Sequence, residues 1–277
     1  KKKDKIFFNT DFEIKNSALN LELLNYTKKK GTKSNLIIEG VVNKNNSVFL
    51  NKINFAESKN FIKVKNINLN SKKKLKRIDQ IDVDLVNNND QISQLNIKRK
   101  KSNYSINSKI FDGAKILDRI LFSKSEGNFF DVFEKLNSKI SINFNTIYIT
   151  NEDYLNSFKA DIIVNNNQIK DLILSSQFST KEDLKLSIKT NSNNERITDL
   201  FAGNAKPLVK KYDFIKGFEG GYLKFDSIEK NKVSNSNLKI FDFKLKEVPA
   251  LTKLLTLASL QGIADLLTGE GIRFNEF

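Results

Sequence analysis

The chain has 277 residues and contains no histidine, cysteine, methionine or tryptophan, and only two prolines. Without histidine it lacks the commonest general base and metal ligand, so Ser-His-Asp and Cys-His catalytic arrangements are excluded and a zinc site is disfavoured. Without cysteine it has neither disulfide bonds nor thiolate chemistry, which fits the periplasm and the cytoplasm equally. We therefore expect no enzyme activity, no metal and no cofactor.

Long apolar runs are also missing. No window reaches the roughly 18–20 apolar residues that cross a bilayer. The basic segment Lys1–Lys5 precedes only the short apolar stretch Ile6–Phe8, which is too short for the core of a signal peptide. There is no initiator methionine, and the sequence stops soon after an apparent strand start at Ile272. We interpret the sequence as an internal fragment of a longer protein and expect any membrane anchor to lie elsewhere in it.

The net charge of +15 has two interpretations. Basic chains bind nucleic acid or anionic membrane surfaces, and lysine clusters occur at residues 28–30, 72–74 and 98–101. Heavy use of Lys, Asn, Ile and Phe is also typical of an AT-rich genome, in which lysines decorate a solvated face. We expect no nucleic-acid partner, because the 22 phenylalanines occupy mostly apolar strand positions instead of alternating with basic residues on an exposed face.

Apolar and polar residues alternate with a period of two up to about residue 190, which predicts strands with one apolar face. The cleanest stretches are residues 140–144, 158–164 and 184–188. Asparagine-rich turns separate the strands at residues 43–46, 87–90 and 165–167, because Asn tolerates left-handed backbone. The sequence therefore predicts a mainly β protein, with few helices, built on a long curved antiparallel sheet that forms an elongated apolar groove.

Such a sheet, if it stays open, aligns its apolar faces into a trough. Acyl chains are stable there because each buried CH₂ contributes about 0.8 kcal/mol. The candidates for the lining of this lipid groove are ten alternating positions: Ile140, Ile142, Phe144, Phe158, Ala160, Ile162, Val164, Leu184, Leu186 and Ile188. One sequence leaves open whether these residues face lipid or a closed core.

Three segments interrupt the alternation. Residues 116–121 and 129–136 space their apolar side chains like one face of a helix. Residues 194–212 contain Pro207 and provide a plausible boundary between two modules. We expect a repetitive β-groove region over residues 1–195 and a C-terminal module over residues 196–277.

Two matches to functional motifs are weak. Asp82 and Asp84 lie two apart on a predicted strand and share its solvent face, which favours a solubilising role over paired-carboxylate catalysis. Gly220 and Gly221 precede a strand, whereas a phosphate-binding glycine loop opens a helix. A turn or bulge is the favoured interpretation of these glycines.

The C-terminal residues 241–277 change pattern twice. A strand-like alternation ends at Leu245, Pro249 suits the first turn of a helix, and Gly269 suits the left-handed residue that closes one. We predict an apolar helix over residues 249–268, about 30 Å long. Its broad apolar face comprises Leu251, Leu254, Leu255, Ala258, Leu266 and Leu267. A helix so apolar is either a buried plug across the sheet or the lid of a lipid groove.

This region carries a family resemblance. The run VPALTKLLTLASLQG at residues 248–262, then DLL at 265–267 and GEGIRF at 269–274, resembles the C-terminal signature of the AsmA-like family, which includes TamB- and YhdP-type proteins. The sequence GGYLKF at 220–225 resembles the family's preceding glycine-led strand, while residues 1 to about 195 are similar only in their long alternating strands.

The resemblance implies a periplasmic protein of Gram-negative bacteria, anchored in the inner membrane and active in outer-membrane biogenesis. Its groove would conduct phospholipid toward the outer membrane, with phospholipids as partners and the membrane contacted through regions outside this chain. The alternative is a non-conducting structural or assembly scaffold of the envelope, in which the same strands close into a dry sandwich.

Overall fold

The computed structural model describes residues 5–116, 129–211, 215–231, 233–246 and 272–276. Over these ranges the chain is mainly β, with eighteen strands and a few short helices, as the sequence predicted. Sixteen of the strands belong to one sheet. The chain divides into two compact units, residues 1–171 and 172–277. The predicted helix at 249–268, with its proposed lid residues, lies outside the described residues.

The first unit contains two short 3-10 turns, Glu22–Leu24 and Phe129–Val132, and twelve complete strands. The strands are β1 (Lys5–Glu13), β2 (Leu19–Leu21), β3 (Tyr26–Lys28), β4 (Asn35–Asn43), β5 (Val48–Glu57), β6 (Asn60–Leu69), β7 (Leu75–Arg77), β8 (Gln80–Val86), β9 (Ile92–Lys100), β10 (Asn103–Asp112), β11 (Ser138–Tyr148) and β12 (Tyr154–Asn165). In the sheet, β1 lies beside β4, and β5, β6, β8, β9, β10, β11 and β12 follow. β7 pairs with β6, while β2 and β3 form a separate ribbon.

The sheet is mixed, and the prediction of a purely antiparallel meander was wrong at one point. β10 and β11 run parallel, with Ile106 opposite Ile142. Parallel neighbours need a crossover of a dozen or more residues, and residues 113–137 supply it. Within this crossover residues 114–116 are helical, 117–128 lie outside the described ranges, and Phe129–Val132 forms only a 3-10 turn. The helix-like spacing at 129–136 therefore reflects burial against the sheet more than an α-helix.

The asparagine-rich turns occur where they were predicted. Asn46, Asp90, Asn166 and Asn167 all adopt positive φ angles, between 49° and 64°. The side chain of Asn87 stabilises its turn by accepting hydrogen bonds from two backbone N–H groups, those of Asn89 and Gln91, each at 2.9 Å. Asn fits these turns because its short polar side chain bonds to the local backbone and tolerates left-handed geometry.

The second unit begins within β13 and continues through an antiparallel series of strands. Its elements are β13 (Gln168–Phe178), β14 (Asp183–Thr190), β15 (Arg196–Ala202), helix α1 (Lys206–Lys211), β16 (Phe218–Lys230), β17 (Val233–Leu245) and β18 (Ile272–Glu276). Strands β14 to β18 pair in sequence order. The predicted module boundary at 195/196 falls in the turn before β15, which pairs continuously with both neighbours.

Positive φ angles at Gly220 and Gly221 explain the paired glycines of β16. Gly220 pairs with Phe243 and Tyr222 with Phe241, so one residue is passed over on each strand. Gly221 has a φ of +73°, and a Cβ there would lie 2.7 Å from the carbonyl oxygen of Phe241. Only glycine fits this backbone without strain. The glycines therefore serve an irregular stretch of strand backbone, across which the register of β16 and β17 stays the same, so the stretch is neither a turn nor a bulge with an extra residue.

Candidate functional site

A continuous apolar row crosses the sheet of the first unit. It takes one residue from each of eight neighbouring strands, and each member is the direct cross-strand partner of the next. The members of this apolar row are Ile38, Ile53, Val64, Ile81, Ile97, Ile106, Ile142 and Ala160. Every member except Ala160 is only half-buried, so an aliphatic strip stays accessible along the row.

The dimensions of the row follow from strand spacing. Neighbouring strands lie 4.7–4.9 Å apart, so eight strands span about 34 Å from the first member to the last. This is close to the hydrocarbon thickness of a bilayer, about 30 Å. The row offers only aliphatic side chains over that distance, and it runs across the strands instead of along them.

One side of the row is covered by the ribbon, which we define as residues 14–34. Tyr26 of β3 is buried in a cluster with Phe55, Val83 and Leu85 of the sheet. Its ring meets Phe55 edge to face, with centroids 6.1 Å apart. The ribbon therefore makes a dry core next to the apolar row and forms one rim of it.

Buried hydrogen bonds from Lys28 stabilise the ribbon. Its side chain is fully buried, and its Nζ donates hydrogen bonds to the carbonyl oxygens of Ser17 at 2.6 Å, Lys29 at 3.2 Å and Lys15 at 3.4 Å. A buried ammonium is tolerated only when its donors are satisfied. The first residue of the basic cluster 28–30 is therefore part of the core and does not belong to a solvated charge patch.

A side-chain hydrogen bond joins the ribbon to β5. The Tyr26 hydroxyl donates a hydrogen bond to the Glu57 carboxylate. Burial raises the pKa of the Glu57 carboxyl above its ordinary value. The side-chain oxygen of Asn88, in the turn after β8, accepts a hydrogen bond from the backbone N–H of Thr27 at 3.0 Å. Polar groups thus hold the ribbon in place around its apolar contacts.

The crossover covers the other side of the row. Phe133 forms a parallel bridge with Leu75, and the N–H of Glu134 donates to the Leu75 carbonyl at 2.7 Å. The Phe133 ring lies edge to face with Tyr104, with centroids 6.5 Å apart. Burial raises the pKa of the Tyr104 hydroxyl. Within the first unit the apolar row therefore has the ribbon on one side and Phe133 of the crossover on the other.

The structure brings the predicted lining residues of β11 and β12 together as direct cross-strand pairs. Ile140 faces Ile162, Ile142 faces Ala160, and Phe144 faces Phe158. The rings of Phe144 and Phe158 stack with centroids 5.8 Å apart. The alternation is confirmed by the neighbours Ile162, 9% exposed, and Ile163, 46% exposed.

The burial of the ten predicted lining positions is uneven. Eight are buried, namely Ile140, Phe144, Phe158, Ala160, Ile162, Val164, Leu184 and Ile188. Ile142 and Leu186 are half-buried. Ile142 belongs to the apolar row, whereas most of the predicted set forms the dry strips beside it.

In the second unit a shorter apolar row crosses four strands. Its members are Leu186, Leu200, Phe225 and Leu238, paired in that order. The first three are half-buried and Leu238 is exposed. The row two residues along each strand is buried, since Ala202, Leu223 and Ile240 are all buried.

Helix α1 packs against β16. The N–H of Ala205, just before the helix, donates a hydrogen bond to the carbonyl of Gly221 at 2.8 Å.

Sequence reasoning missed most of the apolar row. Six of its eight members were not among the predicted lining residues: Ile38, Ile53, Val64, Ile81, Ile97 and Ile106. Each occupies an alternating strand, so the signal was present in the sequence. What was missing was the register, which decides which residues of different strands become neighbours.

The opposite face carries the acidic pair. Asp82 accepts hydrogen bonds from the side-chain amides of Gln80, at 2.5 Å, and Asn96. Asp84 accepts one from Gln94 at 3.0 Å. The two carboxylates face neutral amides along the strands, which is typical of a polar outer surface. In the described part of the chain, no group of three or more acidic residues is placed to hold a metal.

The lysine cluster at 72–74 takes part in local structure. Lys73 donates to the carbonyl of Asn46 at 2.5 Å, and Lys74 donates to the carbonyl of Asp131 at 2.8 Å. Two of these three lysines therefore connect separate loops, which a purely solvated charge run would not do.

No protein-family model, curated protein or solved structure matches this chain. Among the residues that the structure describes, no helix is both long enough and apolar enough to cross a membrane.

Proposed function

We propose that this chain is part of a lipid-conducting protein of the bacterial envelope, in which an apolar sheet face shields phospholipid acyl chains between the inner and outer membranes. The observation that supports it best is the half-buried apolar row of the first unit. The resemblance of residues 248–274 to the AsmA-like family supplies the envelope setting: a periplasmic position and an inner-membrane anchor outside this chain.

The chemistry of the row suits acyl chains better than a polar ligand. A chain lying along it would meet aliphatic side chains for about 34 Å, with each buried CH₂ contributing about 0.8 kcal/mol. The row contributes no polar side chain that would fix one position. Binding would therefore be unselective along the row, which is the property that a conduit needs.

The scaffold alternative has its own support. Eight of the ten predicted lining positions are buried, as in a dry core. A scaffold would use the dry strips for stability, and the exposed row would then be too shallow to hold lipid. The two functions differ in one measurable respect, namely whether the row takes up acyl chains.

The experiment places charge on the row. Ile53→Asp and Ile106→Asp each introduce a carboxylate at a half-buried position, where water reaches it, so the fold should survive. Uptake of a fluorescent phospholipid by the purified protein should fall severalfold in both variants. Ile163→Asp, on the opposite face, is the matched control and should leave uptake unchanged.

Melting temperatures of the same variants complete the test. Unchanged melting with reduced uptake supports the conduit. A protein that takes up no lipid before any substitution, and from which organic extraction recovers none, would favour the scaffold. Normal uptake by both row variants would mean that lipid binds elsewhere.

A further inference from the structure

Arginine is rare in this chain, and two arginines come together beside the apolar row. Only five of the 47 basic residues are arginines. Arg77 and Arg99 are far apart in the sequence, yet both side chains approach the same carboxylate oxygen, Oδ1 of Asp79. A lysine serves equally well on a solvated face, whereas the planar guanidinium of arginine is suited to binding two oxygens at once. The pair therefore offers more than surface charge at this place.

The arginine pair borders the apolar row. Arg99 follows Ile97 of the row by two residues on β9, so their side chains project from the same face, about 7 Å apart along the strand. Across the sheet, Arg99 pairs with Tyr104, which precedes Ile106 of the row by two residues. The backbone N–H of Arg99 donates to the carbonyl of Asp79 at 2.8 Å, which places the carboxylate beside it. The charged groups therefore lie next to the row without interrupting it.

One carboxylate does not satisfy the two guanidinium groups. Nε of Arg77 lies 3.2 Å from Oδ1 of Asp79 but is not aligned for a hydrogen bond, and among the described residues it is buried without a hydrogen-bond partner. Nη1 of Arg99 lies 3.6 Å from the same oxygen, beyond hydrogen-bond distance. Each guanidinium has five N–H donors, and a buried donor without an acceptor is unfavourable. The cluster therefore has a net positive charge and donors that suit a further anionic acceptor.

A phenol belongs to the same cluster. The ring of Tyr104 packs edge to face on Phe133 of the crossover. Burial raises the pKa of the Tyr104 hydroxyl, and the charges of Arg99, Asp79 and Arg77 act on the same group. A phenol that stays protonated at neutral pH donates a hydrogen bond. Two guanidinium groups and a hydroxyl donor are thus placed beside an aliphatic row.

We propose that Arg77 and Arg99 bind the phosphate of a phospholipid whose acyl chains lie on the apolar row. A phosphate diester has the charge and the oxygen geometry that guanidinium groups bind, and it offsets the excess positive charge of the cluster. A soluble phosphate has the same charge but no apolar part to place on the row, which begins about 7 Å away along β9. The inference rests on the proposed lipid function and adds one fixed headgroup position to a row that is otherwise unselective.

Two fluorescent lipids with the same acyl chains separate the headgroup from the chains. Phosphatidylglycerol carries a phosphate, and the matching diacylglycerol carries none. The purified wild type should take up the phospholipid preferentially. Arg77→Gln/Arg99→Gln should lower phospholipid uptake about tenfold and leave diacylglycerol uptake unchanged, because only the phosphate loses its charge-assisted hydrogen bonds. Lys98→Gln removes one positive charge next to Arg99 on the opposite face, and as the matched control it should change neither.

Two further variants distinguish phosphate recognition from a structural ion pair. Arg99→Lys keeps the charge but loses the planar fork, so phospholipid uptake should fall severalfold. Asp79→Asn removes the carboxylate that competes with the phosphate, so phospholipid uptake should rise. A purely structural role predicts instead that Asp79→Asn lowers the melting temperature without any gain in uptake. Circular dichroism melts of every variant check the fold.

Three outcomes overturn the proposal. Equal phospholipid uptake by the wild type and Arg77→Gln/Arg99→Gln would show that the arginines contact no headgroup, while the conduit would stand if both lipids are taken up. Inorganic phosphate that binds as tightly as the phospholipid, with the same dependence on the arginines, would assign the site to a soluble phosphate. A wild type that takes up neither lipid would reject the headgroup site together with the conduit.

Discussion

The two units cover their apolar faces with different elements. In the first unit the ribbon and the crossover cover the two sides of the face and leave an apolar row eight strands wide. In the second unit α1 packs at one end, and the apolar row is only four strands wide. On the far side of that row the strands turn polar, with Thr198 facing Ser227 and Ser227 facing Ser236.

The difference shows what makes an apolar row continuous. Alternation within each strand is present in both units, but a row needs apolar residues at matching register positions in every strand. The first unit achieves this over eight strands. It does so even though Asn51 of β5 and Asn66 of β6 are left out of the pairing, between the Leu50–Ile67 and Lys52–Lys65 pairs. In the second unit, hydroxyl side chains at one register level interrupt the apolar surface. The first unit is therefore the better place to look for lipid binding.

The largest expected effect separates the buried face of a strand from its outer face. Ile162→Asp places a carboxylate at a buried position and should destabilise the first unit by about 3 kcal/mol or more. Leu223→Asp should do the same to the second unit, where Leu223 is buried beside α1. Ile163→Asp, one residue along on the outer face, should cost less than about 0.5 kcal/mol. Urea unfolding followed by circular dichroism measures all three; equal losses for Ile162 and Ile163 would remove the distinction between faces.

A smaller effect is expected from Lys28, the buried lysine of the ribbon. Lys28→Met retains the buried aliphatic volume but removes the donor of the Ser17 carbonyl, at a cost of about 1–3 kcal/mol. The carbonyls of Lys15 and Lys29 keep hydrogen bonds from the backbone N–H groups of Gly31 and Thr32. Hydrogen exchange over residues 15–34 should accelerate, and lipid uptake should rise as the rim opens. Lys30→Met, at an exposed neighbouring position, is the control and should change neither. A fully stable Lys28→Met would show that the Ser17 carbonyl finds another donor.

A third change would make the second unit resemble the first. The hydroxyls of Ser227 and Ser236 lie 2.8 Å apart and hydrogen-bond to each other. Replacing both by valine removes donor and acceptor together, so stability should change by less than about 1 kcal/mol. The apolar surface would grow by one register level, and fluorescent-lipid uptake should rise measurably. Unchanged uptake would confine lipid binding to the first unit.

The smallest effect concerns pH and the Tyr26–Glu57 contact. Because burial raises the pKa of Glu57, the folded state keeps this proton to a higher pH than the unfolded state does. The contribution of this group to stability is complete below the unfolded pKa and is lost as pH rises through the raised folded pKa. Glu57→Gln should therefore lose less stability than the wild type as the pH rises from below the ordinary glutamate pKa of 4.5 to neutrality. Thermal melts across this range give the comparison, and parallel profiles would contradict it.

Much of the local structure could be predicted from single residues. The alternation at 140–144, 158–164 and 184–188 placed β11, β12 and β14, because a strand exposes its side chains to opposite faces in turn. Asparagine-rich turns predicted the breaks between strands, and Gly220 and Gly221 indicated irregular backbone within β16. Each of these features depends on the conformational preference of a few neighbouring residues.

The features that depend on distant residues were missed. The parallel pairing of β10 and β11 depends on where the crossover returns to the sheet, which no local pattern encodes. Lys28 looked like a surface lysine because its three acceptors lie in loops that only the folded ribbon brings together. That Ile162 is buried while Ile142 is only half-buried likewise depends on where the ribbon and the crossover pack.

The sequence by itself determined that the described protein is mainly β, which side chains of each strand share a face, and that catalysis by histidine or cysteine is impossible. These follow from composition and from the two-residue repeat of a strand. Only the tertiary structure decided which strands are neighbours, in what register, and which apolar residues remain accessible. Register is set by bulges, turn lengths and packing acting together along the whole sheet, so the apolar row from Ile38 to Ala160 exists only once the chain has folded.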